Sequence, residues 1–302
     1  VELNVKYIDP GYDKFIIDAE KLKEEYQFAC EWISSYGIDY EKTRFGDYER
    51  DFLEFLNKKG KVEAKESLRM FFNAHLEANE LIRIKNVFDK HNELVDHDSI
   101  KKTVSGQKFR NGSKKDQSRD FAFELGVATR FIKAGYYVEL NNLADLVAQV
   151  NGRTLYVECK RIKSQRQLEK RVKEANKQLE SRFLIDKNHL SRGMVALNLT
   201  DILNPDAMPV LQTSFEAYRR FSAEALKHFV QVNLEAFTKK RSSKSLAVLT
   251  EFSTQGFILA ERKEDCSFVN CREGNVSIYA EKVKDRGFVN GFWRRLGNQD
   301  LI

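Results

Sequence analysis

Two apolar runs joined by the dipeptide Asn151-Gly152 constrain this chain more than any other feature. The first runs from Ala144 to Val150 and the second from Thr154 to Ile162. Asn-Gly between β-favouring runs is a strong hairpin signal, because both central residues of the turn must take positive φ. The runs are therefore expected to pair antiparallel. Both carry charge: Asp145 lies in Leu143-Ala144-Asp145-Leu146-Val147, and Glu158 and Lys160 in Tyr156-Val157-Glu158-Cys159-Lys160-Arg161. Side chains alternate along a strand, so Glu158 and Lys160 share one face and Val157 and Cys159 the other. Pairing about the turn brings Asp145 beside Glu158.

Two adjacent carboxylates in an apolar sheet are costly unless a cation compensates them. Mg²⁺ takes oxygen ligands, commonly one or two carboxylates together with water and phosphate oxygens. A lysine two residues beyond the second carboxylate can orient or deprotonate a water, or steady charge developing on a phosphate. The competing reading is an exposed sheet face with cross-strand ion pairing. Against it, Leu146-Val147-Ala148 and Leu155-Tyr156-Val157 are apolar, so the charges interrupt a buried pattern.

The surrounding pattern is helix, three strands, helix. Phe121, Leu125, Ala128, Phe131 and Ile132 predict a helix over Asp120 to Ala134, ended by Gly135. A strand over Tyr136 to Leu140 and a turn at Asn141-Asn142 follow. After the hairpin, Leu168, Val172, Ala175, Leu179 and Phe183 predict a helix over Gln167 to Ile185. Further strands are expected at Gly193 to Leu199 and Leu246 to Thr250, with a helix over Phe215 to Lys240. This mixture implies an α/β fold with a mixed central sheet flanked by helices.

The first third reads as helical, with helices over Tyr12 to Tyr36, Asp47 to Lys58 and Glu66 to Asn92. Its aromatic residues, among them Phe45, Tyr48, Phe52, Phe55, Phe71, Phe72 and Phe88, accompany no catalytic constellation. Three segments are expected: a helical accessory domain over 1–100, a basic linker over 101–119 and the sheet domain over 120–302. The linker carries Lys101, Lys102, Lys108, Arg110, Lys114, Lys115 and Arg119 against Asp116 alone. It reads either as a solvated connection or as a loop that touches phosphates.

A length of 302 residues suits about two domains, and 42% hydrophobic residues support a sizeable core. The net charge of +6 is compatible with a polyanionic partner. No run of about 18 apolar residues offers a membrane span, and the opening residues, with Glu2, Asp9 and Asp13, lack a secretory signal pattern. Cys30, Cys159, Cys266 and Cys271 form no CxxC pair, and the histidines show no HExxH spacing. Cys266 and Cys271 can pair, but reduced thiols in a cytoplasmic protein are the expectation.

Taken in order, a helix acid, a strand Asp and Glu-x-Lys on the next strand resemble the PD-(D/E)xK nuclease superfamily, the restriction-endonuclease-like fold. The match covers about Asp116 to Leu199 and places Glu124, Asp145, Glu158 and Lys160 at the motif positions. Ala144 stands where the proline that names the motif would be. The resemblance implies Mg²⁺ or Mn²⁺ held by Asp145 and Glu158, with the backbone carbonyl of Cys159 as a further ligand. It implies that Glu124 assists through water or a second metal and that Lys160 activates the nucleophile.

Beyond the motif, Arg161, Lys163, Lys170, Lys173 and Lys177 make the following helix basic, and Gln178 lies within it. A basic helix leaving a metal strand can carry a nucleic-acid backbone. The run Gly291-Phe292-Trp293-Arg294-Arg295 can stack a base or anchor a core. The expected function is phosphodiester hydrolysis by a metal-dependent nuclease acting on DNA, with a role in restriction or defence or, alternatively, in DNA repair or junction resolution. A non-catalytic nucleic-acid-binding module and a partner-activated subunit are the other classes. The N-terminal helices are the expected surface for a second copy or a partner protein.

Overall fold

The hairpin forms as its turn demands, with Asn151 at φ 46° and Gly152 at φ 75°. This computed structural model describes residues 6–8, 16–57, 65–110, 116–140, 144–259 and 267–297. In chain order its elements are β1 (Lys6–Ile8), β2 (Ile16–Asp18), α1 (Ala19–Ser35), α2 (Arg44–Asn57), α3 (Lys65–Phe88), α4 (His97–Val104), α5 (Gln117–Lys133), β3 (Tyr137–Glu139), β4 (Leu146–Val150), β5 (Arg153–Arg161), α6 (Leu168–Ile185), β6 (Arg192–Asn198), α7 (Thr200–Leu203), β7 (Val210–Gln212), α8 (Phe215–Val232), α9 (Leu234–Phe237), β8 (Ser245–Ile258), β9 (Ser267–Ile278), α10 (Val283–Asn290) and α11 (Trp293–Gly297). The protein is mixed α/β, and no described helix is long and apolar enough to cross a membrane.

The chain forms two compact units. The first gathers Val1–Ala122, Asn204–Glu224 and Ser253–Glu273. The second gathers Phe123–Leu203, Ala225–Phe252 and Gly274–Ile302. Neither is one continuous stretch of the chain.

In the second unit β3 pairs antiparallel with β4, and β4 with β5. The direction then changes: β5 pairs parallel with β6, and β6 with the first half of β8. The hairpin register runs from Val150↔Arg153 to Leu146↔Val157. Helix α6 connects the parallel strands β5 and β6 and buries Leu168, Val172, Ala175 and Leu179. These pack with Val195 and Leu197 of β6, Val248 of β8 and Leu226 and Phe229 of α8 in one apolar cluster. Gly193 permits the close approach, since a Cβ there would stand 2.8 Å from Phe183 Cζ.

In the first unit α3 buries His75 entirely, between Phe71 and Phe268. Gln255 of β8 donates to the Phe72 carbonyl at 2.9 Å and lies 2.8 Å from His75 Nδ1. Burial and the nearby Arg83 lower the His75 pKa to about 3, so the ring is neutral.

Several expectations need correction. The first helix starts at Ala19, and Ile16–Asp18 is a strand, in keeping with the β-branched pair Ile16-Ile17. Residues 101–104 are helical in α4, and 117–119 open α5, so the linker is short. The helix expected over Phe215 to Lys240 divides at Asn233 into α8 and α9. The strand expected at Leu246 to Thr250 extends to Ile258, and β9 was not anticipated. The turn Asn141-Asn142, Lys114, Lys115 and Cys266 lie outside the described residues; Cys30, Cys159 and Cys271 are buried. Near the C-terminus it is Phe292 that is buried, while Trp293 is half-exposed and donates to Asn290 Oδ1 at 3.2 Å.

This assembly predicts the behaviour of a truncated chain starting at Thr103. Residues Ser253–Glu273 belong to the first unit, and their Phe268 and Gln255 are buried against residues of α3. Removing α1 to α3 exposes that apolar surface. Light scattering should therefore show aggregation of the truncated chain; a soluble, monodisperse product would contradict this account.

Candidate functional site

Asp145 lies one residue before β4, and the hairpin register carried one step past Leu146↔Val157 sets it opposite Glu158. The ladder has ended there, so the backbone N–H of Cys159 meets a side chain in place of a strand. It donates to Asp145 Oδ2 at 2.7 Å. In an extended strand a residue's N–H and C=O point to the same edge. The carbonyl of Cys159 is thus directed past the end of β4, towards the same side.

Lys160 joins the two acids. Its Nζ lies 3.1 Å from Asp145 Oδ2 and 3.4 Å from Glu158 Oε2. The other oxygen of Glu158, Oε1, is buried and has no hydrogen-bond partner among the described residues. Arg182 Nε approaches it to 3.9 Å and is likewise buried without a hydrogen bond. Side-chain exposure grades from 1% for Glu158 through 14% for Lys160 to 23% for Asp145, which marks the side on which solvent enters.

The electrostatics follow from this burial. Loss of solvent, and then the adjacent Asp145 carboxylate, push the Glu158 carboxyl up to about 7, against the pull of Lys160 and Arg182. Burial alone would lower the Lys160 pKa, but Asp145 and Glu158 outweigh it and raise it. The buried Cys159 thiol is pushed well above its ordinary value, with Asp145 and Glu124 contributing. Cys159 therefore acts through its backbone, and α5 brings the Glu124 charge within reach of it.

The remaining residues singled out in the sequence are distributed differently. Arg161 is buried, and its Nη2 lies 2.6 Å from Asp201 Oδ2, so it is committed internally. Lys163 is half-buried at the end of β5. Lys173 pairs with Glu169 at 2.5 Å, whereas Lys170 and Lys177 are exposed. At 100° per residue Lys170, Lys173 and Lys177 fall on one face of α6, opposite the face that carries Val172 and Leu179. Gln178 is also exposed. Arg182, one turn after Gln178, reaches Glu158 instead. The sequence signal for it is helical phase: Arg182 flanks the Ala175–Leu179 face.

The donor set fits a hard divalent cation. Asp145, Glu158 and the Cys159 carbonyl offer oxygen only, and Glu158 Oε1 is a buried acceptor with no hydrogen bond among the described residues. No cluster of three or more His, Cys, Asp or Glu suited to a metal occurs among the described residues. Mg²⁺ does not require one, since it retains water and substrate oxygens beside one or two carboxylates. No family model, curated protein or solved structure matches this chain.

Glu158 makes a testable contribution to stability. A carboxyl whose pKa is raised on folding holds its proton longer in the native state, so without divalent metal stability falls as pH rises from about 4.5 to about 7. Glu158→Gln removes this loss. Urea unfolding in EDTA should show the variant more stable than the parent at pH 8, by up to about 3 kcal/mol, and equal to it near pH 4. A constant difference across that range would refute the buried, uncompensated carboxyl.

Proposed function

We propose that the chain is a divalent-metal-dependent nuclease that hydrolyses phosphodiester bonds in DNA. The observation that carries this reading is the buried pair Asp145–Glu158 at the open end of a hairpin, joined by Lys160 Nζ at 3.1 and 3.4 Å. The order α5, β3, β4, β5, α6, β6, with antiparallel strands followed by a parallel one, supports a restriction-endonuclease-like core.

Asp145, Glu158 and the carbonyl of Cys159 would hold Mg²⁺ or Mn²⁺, which supplies Lewis-acid activation of water and charge compensation at the phosphate. The Cys159 N–H keeps Asp145 oriented at 2.7 Å and limits the freedom it loses on ligation. Lys160, relieved of its two carboxylates by a competing cation, can donate to the attacking water or to a phosphate oxygen. Arg182 Nε faces the other oxygen of Glu158 at 3.9 Å and compensates it only loosely. Two acids and two bases cancel within this group. The charge of a bound divalent ion is therefore left for the phosphate. Glu124, whose charge contributes to the raised Cys159 thiol, would assist through water.

The division of roles is checked by three variants. Asp145→Ala and Glu158→Ala should abolish cleavage of plasmid DNA, a loss of at least about 10³-fold, and weaken Mn²⁺ binding in calorimetry. Lys160→Ala should be equally inactive but should bind Mn²⁺ no more weakly than the parent, since it removes a competing cation. Undiminished cleavage by either acid variant would sink the assignment, and loss of Mn²⁺ binding in Lys160→Ala would reverse the role given to lysine.

Substrate contact with α6 is tested by salt dependence. Each phosphate neutralised contributes about 0.9 to the log–log slope of binding on duplex DNA. Replacing Lys170, Lys173 and Lys177 by Glu should flatten that slope and weaken binding to unrelated sequences alike. An unchanged slope would place the substrate off this helix face.

A further inference from the structure

The basic segment from Lys101 to Arg119 divides into inward and outward residues. Lys108 Nζ lies 2.7 Å from Asp51 Oδ1, and Arg110 Nε and Arg119 Nε lie 3.0 and 2.8 Å from Glu77 Oε1. Arg119 also holds Asp116 at 2.9 Å. These cations are structural. Lys101 and Lys102 are exposed and make no ion pair among the described residues; Lys102 Nζ rests 5.4 Å from the Phe121 ring centroid.

The two lysines line a cavity of about 590 Å³ within the first unit. That volume is in the range of small-ligand sites. Its walls are α4, residues 105–107, Asp116 and the first residues of α5. Gln107, Gln117 and Ser118 supply amide and hydroxyl groups, Asp98 and Asp116 carboxylates, the latter held by Arg119, and Phe121 an aromatic surface. The opening turn of a helix of 17 residues adds backbone N–H groups that lack intrahelical acceptors.

Behind the wall lies a buried arginine. Arg44 is 2% exposed, and its Nη1 donates to the Ser105 carbonyl and to Ser118 Oγ, both in residues that line the cavity. Its Nε and Nη2 have no hydrogen-bond partner among the described residues, and Nη2 reaches Glu77 Oε2 only at 3.6 Å. Arg44, Arg110 and Arg119 thus converge on Glu77, and Arg119 also holds Asp116. Burial lowers the Arg44 pKa in spite of Glu77. A buried guanidinium with two nitrogens lacking hydrogen bonds among the described residues favours an anion beside it.

We propose that this cavity binds a nucleotide through its phosphate, with Lys101, Lys102 and the start of α5 holding the phosphate and Phe121 bearing the base. A bare anion accounts for the lysines but leaves the aromatic wall and the amides of Gln107 and Gln117 unused. A base needs a flat apolar surface and edge partners, and Asp98 can accept from ribose hydroxyls. The same chemistry arrives on a free mononucleotide or on the phosphorylated end of a nucleic-acid strand.

Binding to the full chain in EDTA tests this. The probes are AMP, ATP, inorganic phosphate, and one fluorescent oligonucleotide with a 5′-phosphate or a 5′-hydroxyl. Saturable binding of AMP or ATP identifies a free nucleotide; preference for the phosphorylated oligonucleotide identifies a strand end. Either supports the site, provided that Lys101→Ala/Lys102→Ala, at exposed positions, weakens it by about tenfold or more. Phe121→Leu should weaken nucleotide binding and leave competition by inorganic phosphate unchanged. Glu158→Ala should leave binding intact, which separates this site from the metal site. No saturable binding of any probe below about 1 mM, equal affinity in the double lysine variant, or inorganic phosphate binding as tightly as nucleotide would each overturn the proposal.

Discussion

Everything at the candidate site depends on where the β4–β5 ladder stops. Leu146 is the last residue of β4 to pair, with Val157, and the next step along the chain is Asp145. Because the strand partner is missing, the Cys159 N–H is open to a side-chain acceptor, and Asp145 Oδ2 takes it at 2.7 Å. The register is set by Asn151 and Gly152 at positive φ. A slip of one residue would turn Glu158 and Lys160 to the opposite face and separate them from Asp145. A local turn preference therefore determines whether two carboxylates and a lysine meet.

The other buried acids of the second unit show what a purely structural solution looks like. Glu251 is held by Arg130 at 2.7 Å, and Arg130 also donates to the Leu296 carbonyl. Asp285 is shared by Arg153 and Arg192 at 3.0 and 2.9 Å. These are close, charge-assisted contacts of the kind that offset desolvation. Glu158 is equally buried, yet its cations stand off at 3.4 and 3.9 Å and leave its carboxyl at about 7. A fold that pairs its other acids tightly keeps this one loosely compensated. That is the condition under which a divalent ion can displace the side-chain cations at little cost.

Elements specified by local pattern were legible in the sequence. The hairpin, the helix on either side of it and β6 needed only period-two alternation, period-3.6 burial and an Asn-Gly turn. Legibility failed where burial rests on distant partners. Beyond Thr250, β8 continues as Glu251-Phe252-Ser253-Thr254-Gln255, which reads as polar and exposed. Glu251 is nevertheless buried because Arg130, 121 residues earlier, neutralises it, and Gln255 because His75, 180 residues earlier, accepts it. Arg161 looked like a surface cation for the same reason, as Asp201 is 40 residues away. The acids and lysine of the motif were found because their spacing is local. Arg182 was missed because only the phase of α6 against the sheet selects it over Gln178.

Counting charge along the chain overstates what a polyanion can meet. Between Lys160 and Lys177 the sequence is strongly basic, but Lys160 is held by Asp145 and Glu158, Arg161 by Asp201, Arg171 by Glu174 and Lys173 by Glu169. Arg166, Lys170 and Lys177 remain exposed without an ion pair among the described residues. The segment Lys101 to Arg119 divides in the same way, with Lys108, Arg110 and Arg119 turned inward. Formal charge in these stretches thus serves two ends. One part is held in ion pairs, some with buried acids and some, at Arg171 and Lys173, on the surface of α6. The other stays in solvent, where attraction to phosphates is screened by salt and released counterions favour binding. Among the described residues of these two stretches, the second part is concentrated at Lys101 and Lys102 in one unit and at Arg166, Lys170 and Lys177 in the other.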